Sequence, residues 1–99
     1  MKLADLLKDM PVKTITGNTN IDVTGLTKDS RAVREGSIFF VTKKSEPFIG
    51  EALNRGARVI IAERELKTDA LCLISVDDVP VLLGKMASRF YGSPSTKLH

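Results

Sequence analysis

A layered α/β domain is the fold this sequence predicts: a three-layer α/β/α-like mixed sheet of four or five strands with three helices. Three observations carry that reading. Two uninterrupted apolar runs of strand length, Ile38-Phe39-Phe40-Val41 and Val59-Ile60-Ile61, are typical of strands covered on both faces. A short segment of helical period lies between them and makes a strand–helix–strand unit. A longer segment, residues 79–90, repeats its apolar residues at helical spacing.

The elements follow in order. Leu3, Leu6, Leu7 and Met10 recur at i, i+3, i+4 and i+7, the stripe of a short amphipathic helix that Pro11 stops. Residues 12–16 (VKTIT) form a weak strand closed by a Gly17-Asn18 turn. In residues 20–27 (NIDVTGLT), Ile21 and Val23 alternate with polar neighbours and Gly25 continues the register, so a period near two predicts a strand. A polar connection with a turn at Arg34-Glu35-Gly36-Ser37 leads to the buried run at 38–41. After a polar loop at 43–46, Pro47 suits a first helical turn. Phe48, Ile49, Ala52 and Leu53 make that helix's apolar face, and Gly56 caps it. A right-handed crossover then delivers Val59-Ile60-Ile61. Residues 63–69 are a charged connection, and residues 70–76 (ALCLISV) are another buried strand. Asp77-Asp78 start the last helix, with Val79, Leu82, Leu83, Met86, Ala87 and Phe90 on its apolar stripe. Gly84 lowers its propensity and allows close packing, Arg89 suits its negative end, and Gly92-Ser93-Pro94 end it.

Composition excludes several classes. Ninety-nine residues fit one domain. A hydrophobic fraction of 42% with 27% charged residues argues against disorder. One Cys makes no disulfide framework, and Cys72 inside a strand reads as a small core hydrophobe. One Cys and one His make no zinc site of the usual kind, so no metal ligand is assigned. No apolar run approaches the roughly 20 residues of a bilayer helix. Asp5, Lys8 and Asp9 interrupt any signal-peptide core. A cytoplasmic location without membrane contact is the default expectation. The net charge of +3 is spread along the chain. Its densest basic clusters, Lys43-Lys44 and Arg55/Arg58, lack the aromatic platforms of a single-strand binding surface, so no nucleic-acid partner is expected.

No Walker loop, dinucleotide fingerprint or catalytic triad is present, and the sole His is the terminal His99. No catalytic residue is assigned, and an independent small enzyme is the weakest reading. One polar stretch, Thr27-Lys28-Asp29-Ser30-Arg31, leaves a strand at the end where open α/β sheets bind ligands. Ser30 offers a hydroxyl and a backbone N–H. Arg31 offers a fork of donors for phosphate or carboxylate, and Asp29 can hold the loop as an Asx-type turn. The alternative is a solvated loop in which Asp29 and Arg31 only organise the turn. A second polar loop, residues 42–46, can face the first across one crevice. Lys43 and Lys44 would supply positive potential for a diphosphate and Ser45 a hydrogen bond, or the lysines are simply solvated.

The stretch GLTKDSRAVREGSIFFV resembles the signature of the N-terminal domain of the Mur ligases, above all the branch that adds the third amino acid to the UDP-MurNAc peptide. The matching residues are Thr27, Asp29, Ser30, Arg31, Val33, Gly36 and Phe39, with Val41 where that family usually has Ala. EALNRGARVIIAE and DVPVLLGKMASRFYGSPSTKL resemble two later blocks of the same family, so the resemblance spans nearly the whole chain. It implies a UDP-substrate-binding domain over residues 1–92. Residues 93–99 would be an exit linker toward a central ATP-binding domain, with the chain stopping short of that domain's P-loop. The full enzyme would use ATP and Mg2+ in its central and C-terminal domains to join diaminopimelate or lysine to UDP-MurNAc-L-Ala-D-Glu. This fragment would bind no cofactor and hold the UDP end, with binding energy remote from the reaction. The resemblance places the uridine and ribose at Leu26 through Arg31, a span that includes Leu26, Thr27, Asp29, Ser30 and Arg31. Ser30 is foremost for direct contact, Asp29 and Arg31 rank as loop organisers with Arg31 able to reach the ligand, and the contacts extend to Lys43, Lys44 and Ser45. The family's second loop is longer and carries a DG pair before an aromatic. Here that loop is TKKSEPF, the pair is missing, and Phe48 takes the aromatic position. A competing reading follows from the short loop: a diverged structural or protein-interaction domain that keeps the fold and has lost the nucleotide-sugar ligand.

Overall fold

The computed structural model describes residues 2–64, 66 and 70–91. Five strands form one sheet: β1 (Thr14–Gly17), β2 (Gly25–Thr27), β3 (Ser37–Phe40), β4 (Val59–Ala62) and β5 (Cys72–Ser75). Their order is β1-β5-β4-β3-β2. Strands β2 to β5 are parallel, and β1 pairs antiparallel with β5, Thr14 opposite Ser75 and Gly17 opposite Cys72. Helices α1 (Leu3–Leu7), α2 (Ile49–Asn54) and α3 (Val79–Phe90) complete the fold, with 3-10 turns at Ser30–Ala32 and Glu46–Phe48.

Strand alternation sorts the buried residues into two cores. Ile38, Phe40, Val59, Ile61, Cys72 and Ile74 point to one face, where Leu3 and Leu6 of α1 and Val79, Leu82 and Met86 of α3 cover them. Phe39, Ile60 and Ala62 point to the other, under Val33 and Ala52. This is the expected three-layer arrangement. Crossovers of one hand that march in one direction along a sheet all fall on the same face. The connections from β2 to β3 and from β3 to β4 therefore share the second core. The loop after β2 and helix α2 become neighbours, and that adjacency builds the candidate site.

Gly56 fixes α2 in place. Its φ is +112°, and a Cβ there would lie 2.5 Å from the Cα of Glu35. Its carbonyl accepts from Gly36 N–H at 2.9 Å, tying the end of α2 to the turn before β3. Only glycine suits both the conformation and the contact.

Several local expectations change. The first helix stops at Leu7 because Asp9 adopts φ +62° and turns the chain before Pro11 is reached. The strand expected over 20–27 pairs only at Gly25–Thr27. Ile21 and Val23 are buried without a ladder, although Asp22 bridges to Lys2. Gly84 packs against nothing: a Cβ there would have no neighbour within 4 Å. Arg89 stands in the last turn of α3 as expected, and it also serves a second helix. Its guanidinium donates to the carbonyls of Asp5, Leu6 and Lys8, closing the open end of α1. Asp78 caps α3 as expected, accepting from Val81 N–H at 3.1 Å, while Asp77 pairs with Lys13. Glu63 adds a second acceptor, for Val79 N–H at 3.0 Å. The expected linker at 93–99, and most of the connection at 63–69, lie outside the described residues. No helix among the described residues is long and apolar enough to cross a membrane.

Candidate ligand cleft

A cleft of about 680 Å³ lies at the carboxyl ends of β2 and β3, a volume in the ordinary range for small-molecule sites. Lys28, Asp29, Ser30 and Arg31 form one wall. Thr42, Lys44 and Ser45 form its floor, and Phe48, Glu51 and Arg55 form the wall contributed by α2 and the turn before it.

The first wall is a self-bonded turn. Asp29 N–H donates to Thr27 Oγ1 at 3.0 Å. Asp29 then caps the 3-10 turn, its Oδ1 accepting from Arg31 N–H at 2.9 Å. The Arg31 guanidinium grips the same carboxylate through Nε and Nη2, each at 3.3 Å. These bonds, the backbone one foremost, hold the Asp29 carboxyl below its ordinary range, and Asp29 in turn raises Arg31. Both side chains therefore organise the loop. Ser30 differs. It is only 6% exposed, it lines the cleft, and its hydroxyl has no hydrogen-bond partner among the described residues. A nearly buried hydroxyl left open toward a cleft is a ready donor and acceptor.

The floor is also self-bonded. Ser45 Oγ accepts from Thr42 N–H at 2.7 Å and donates to Thr42 carbonyl oxygen at 3.3 Å, so it staples the short loop. Lys44 lines the cleft and forms no ion pair among the described residues, whereas Lys43 is exposed outside it. Leu26 and Thr27 also fall elsewhere. They line a separate groove of about 590 Å³ with Thr24, Arg34 and Tyr91. Of the eight residues singled out in the sequence, the cleft thus gathers Asp29, Ser30, Arg31, Lys44 and Ser45.

Helical spacing placed Phe48 on the apolar face of α2, and the resemblance placed it at the aromatic position that follows the second loop. It is 47% exposed and walls the cleft. Lys28 and Thr42 belong to the two polar loops read as candidate ligand loops, whereas Glu51 and Arg55 were not singled out as site residues. The i,i+4 spacing of Glu51 and Arg55 is visible in the sequence, but the face it occupies follows only from how α2 packs. Four cations against two carboxylates leave the cleft positive. Among the described residues no cluster of three or more His, Cys, Asp or Glu side chains is placed to hold a metal.

The chain is 36% identical over 105 positions to a UDP-N-acetylmuramoyl-L-alanyl-D-glutamate–2,6-diaminopimelate ligase of Cytophaga hutchinsonii, covering 99% of the chain and 22% of that relative. It is 38% identical over 103 positions to the same-named ligase of Geobacillus kaustophilus, covering all of the chain and 21% of the relative. It matches the N-terminal domain of the Mur ligases. The Mur fold is shared too. The MurF ligase of Thermotoga maritima, solved in complex with ADP, superimposes with a TM-score of 0.54 at 33% identity, over 66% of this chain and 16% of that one. No model of a protein family matches the chain. The chain spans about a fifth of the length of these curated Mur relatives. Pairing it with the Cytophaga ligase takes 105 positions against ninety-nine residues, so that Mur ligase carries at least six positions this chain lacks.

Proposed function

We infer that this domain holds the nucleotide end of UDP-MurNAc-L-Ala-D-Glu for an ATP-dependent ligase that adds diaminopimelate or lysine in peptidoglycan synthesis. Ser30 carries the reading: a nearly buried, unpartnered hydroxyl opens into a positive cleft. Lys28 and Lys44 supply positive charge for the diphosphate, and Phe48 supplies an apolar wall for a planar base. The relatives' names support the substrate class.

The sequence carries no phosphate loop and the described residues hold no metal-ligating cluster, so on this reading ATP and Mg2+ belong to the other domains of such a ligase. No step on this chain runs through either. The reaction belongs to central and C-terminal domains that residues 93–99 would lead to, in a cytoplasmic enzyme. Domain 1–92 contributes position: it anchors one end of a long substrate so that the other end reaches the reacting groups.

Titrating UDP-MurNAc-dipeptide into the labelled chain tests this. Amide shifts centred on Ser30 are expected, and Ser30→Ala should weaken binding by about 1 kcal/mol, several-fold in Kd. No shift at Ser30 at millimolar ligand would sink the reading. The stapled Thr42–Ser45 loop favours the second reading, a diverged structural domain without ligand. That reading predicts the silent titration.

A further inference from the structure

We propose that Arg55, on helix α2, is the guanidinium that receives the ligand's anionic group, in place of Arg31 in the loop motif. The inference rests on the nucleotide-binding reading of the cleft, and names the residue that would read the diphosphate there.

Two arginines line the cleft, and they are bound differently. Arg31 spends Nε and Nη2 on both oxygens of the Asp29 carboxylate, and its side chain is 82% exposed. Turning it to a ligand would break two charge-assisted bonds to the carboxylate that caps the turn presenting Ser30. Arg55 engages Glu51 through Nε alone, at 3.1 Å. Neither of its Nη nitrogens has a hydrogen-bond partner among the described residues. A guanidinium held at Nε keeps its outer fork free, and that fork matches two phosphate oxygens without breaking any existing bond.

The base of Arg55 is rigid. Its N–H donates to the carbonyls of Glu51 and Ala52 at 3.0 and 3.1 Å, and the constrained Gly56 follows it. Glu51 fixes the direction of the side chain from one turn back, which lowers the entropy lost on binding. The connection between β3 and α2 is short and stapled on itself by Ser45. The α2 side therefore lines the cleft directly, which places Arg55 where the short loop supplies Lys44 as its one lining cation.

The test uses the isotope-labelled ninety-nine-residue chain with inorganic pyrophosphate, UDP and uridine as probes. Pyrophosphate and UDP should shift the Arg55 Nε–H signal. Arg55→Ala should weaken UDP about tenfold or more and leave uridine unchanged. Arg55→Lys, which keeps the charge and loses the fork, should fall between. Arg31→Ala should preserve the ratio of UDP to uridine affinity. The amide spectrum of each variant establishes that it is folded. UDP binding to Arg55→Ala at wild-type strength, or loss of the diphosphate's contribution in Arg31→Ala, would overturn the assignment while leaving the nucleotide site standing. If UDP and uridine both leave the Ser30 amide unmoved, the nucleotide reading fails by itself, and a pyrophosphate shift at Arg55 upholds the anion site. No shift at Arg55 with either anion overturns the inference.

Discussion

Asp29 gives its carboxylate to three donors of one neighbour, the backbone N–H, Nε and Nη2 of Arg31. Its pKa in the folded chain is held below the ordinary value by those bonds. The sign of the linkage follows. The stabilisation is fully present above the unfolded carboxylate pKa of about 3.9 and is lost as pH falls through the lowered folded value. A carbon-detected titration should give Asp29 a midpoint below about 3.9, with the Ser30 amide moving in the same step. A midpoint at or above that value would contradict the turn. The motif residues were legible in the sequence, and so were both roles offered for Asp29 and Arg31. What decides between the roles is which donors already have acceptors, and that depends on a few tenths of an ångström in the folded turn. The family resemblance placed Leu26 and Thr27 with the loop residues that follow them. A strand residue two positions from a loop can open onto a different groove, as these do.

At the scale of elements, Gly84 makes a clean experiment. It lies exposed within α3, and an added methyl would meet nothing within 4 Å. Gly84→Ala should therefore stabilise the chain by about 0.5–1 kcal/mol, read as a higher urea midpoint at unchanged slope. A lower midpoint would reveal a contact of α3 that requires the glycine. The long helix was readable because twelve residues of period 3.6, an Asp cap and an early proline agree. The short ones were less so. Helix α1 ends early because a single residue, Asp9, takes a left-handed conformation that its identity permits but does not demand. Phe48 satisfied the helical stripe by spacing. The 3-10 turn Glu46–Phe48 has a tighter period and rotates it off the buried face into the cleft. Arg89 closes a helix more than eighty residues upstream, a pairing that no local window contains.

For the whole molecule, Cys72 is a built-in reporter. It is fully buried on β5 between β4 and β1, and burial raises its thiol pKa. Reagents reach it only when the sheet opens, so its labelling rate should follow global unfolding and rise in parallel with denaturant. Fast labelling of the native chain would mean that the β1 edge opens independently. The two-core arrangement was legible from the uninterrupted apolar runs at 38–41 and 59–61, since each strand's odd and even positions must bury on opposite faces. The place of β1 was not. Residues 14–17 are exposed throughout and pair solely with β5, Thr14 meeting Ser75 across sixty-one positions. That pairing orders events during synthesis. Thr14 of β1 is synthesised sixty-one residues before its partner Ser75. The hydroxyl-rich sequence of β1 can wait hydrated, with little apolar surface to attract other nascent chains. The first strand of this sheet to be made is then among the last to be built in.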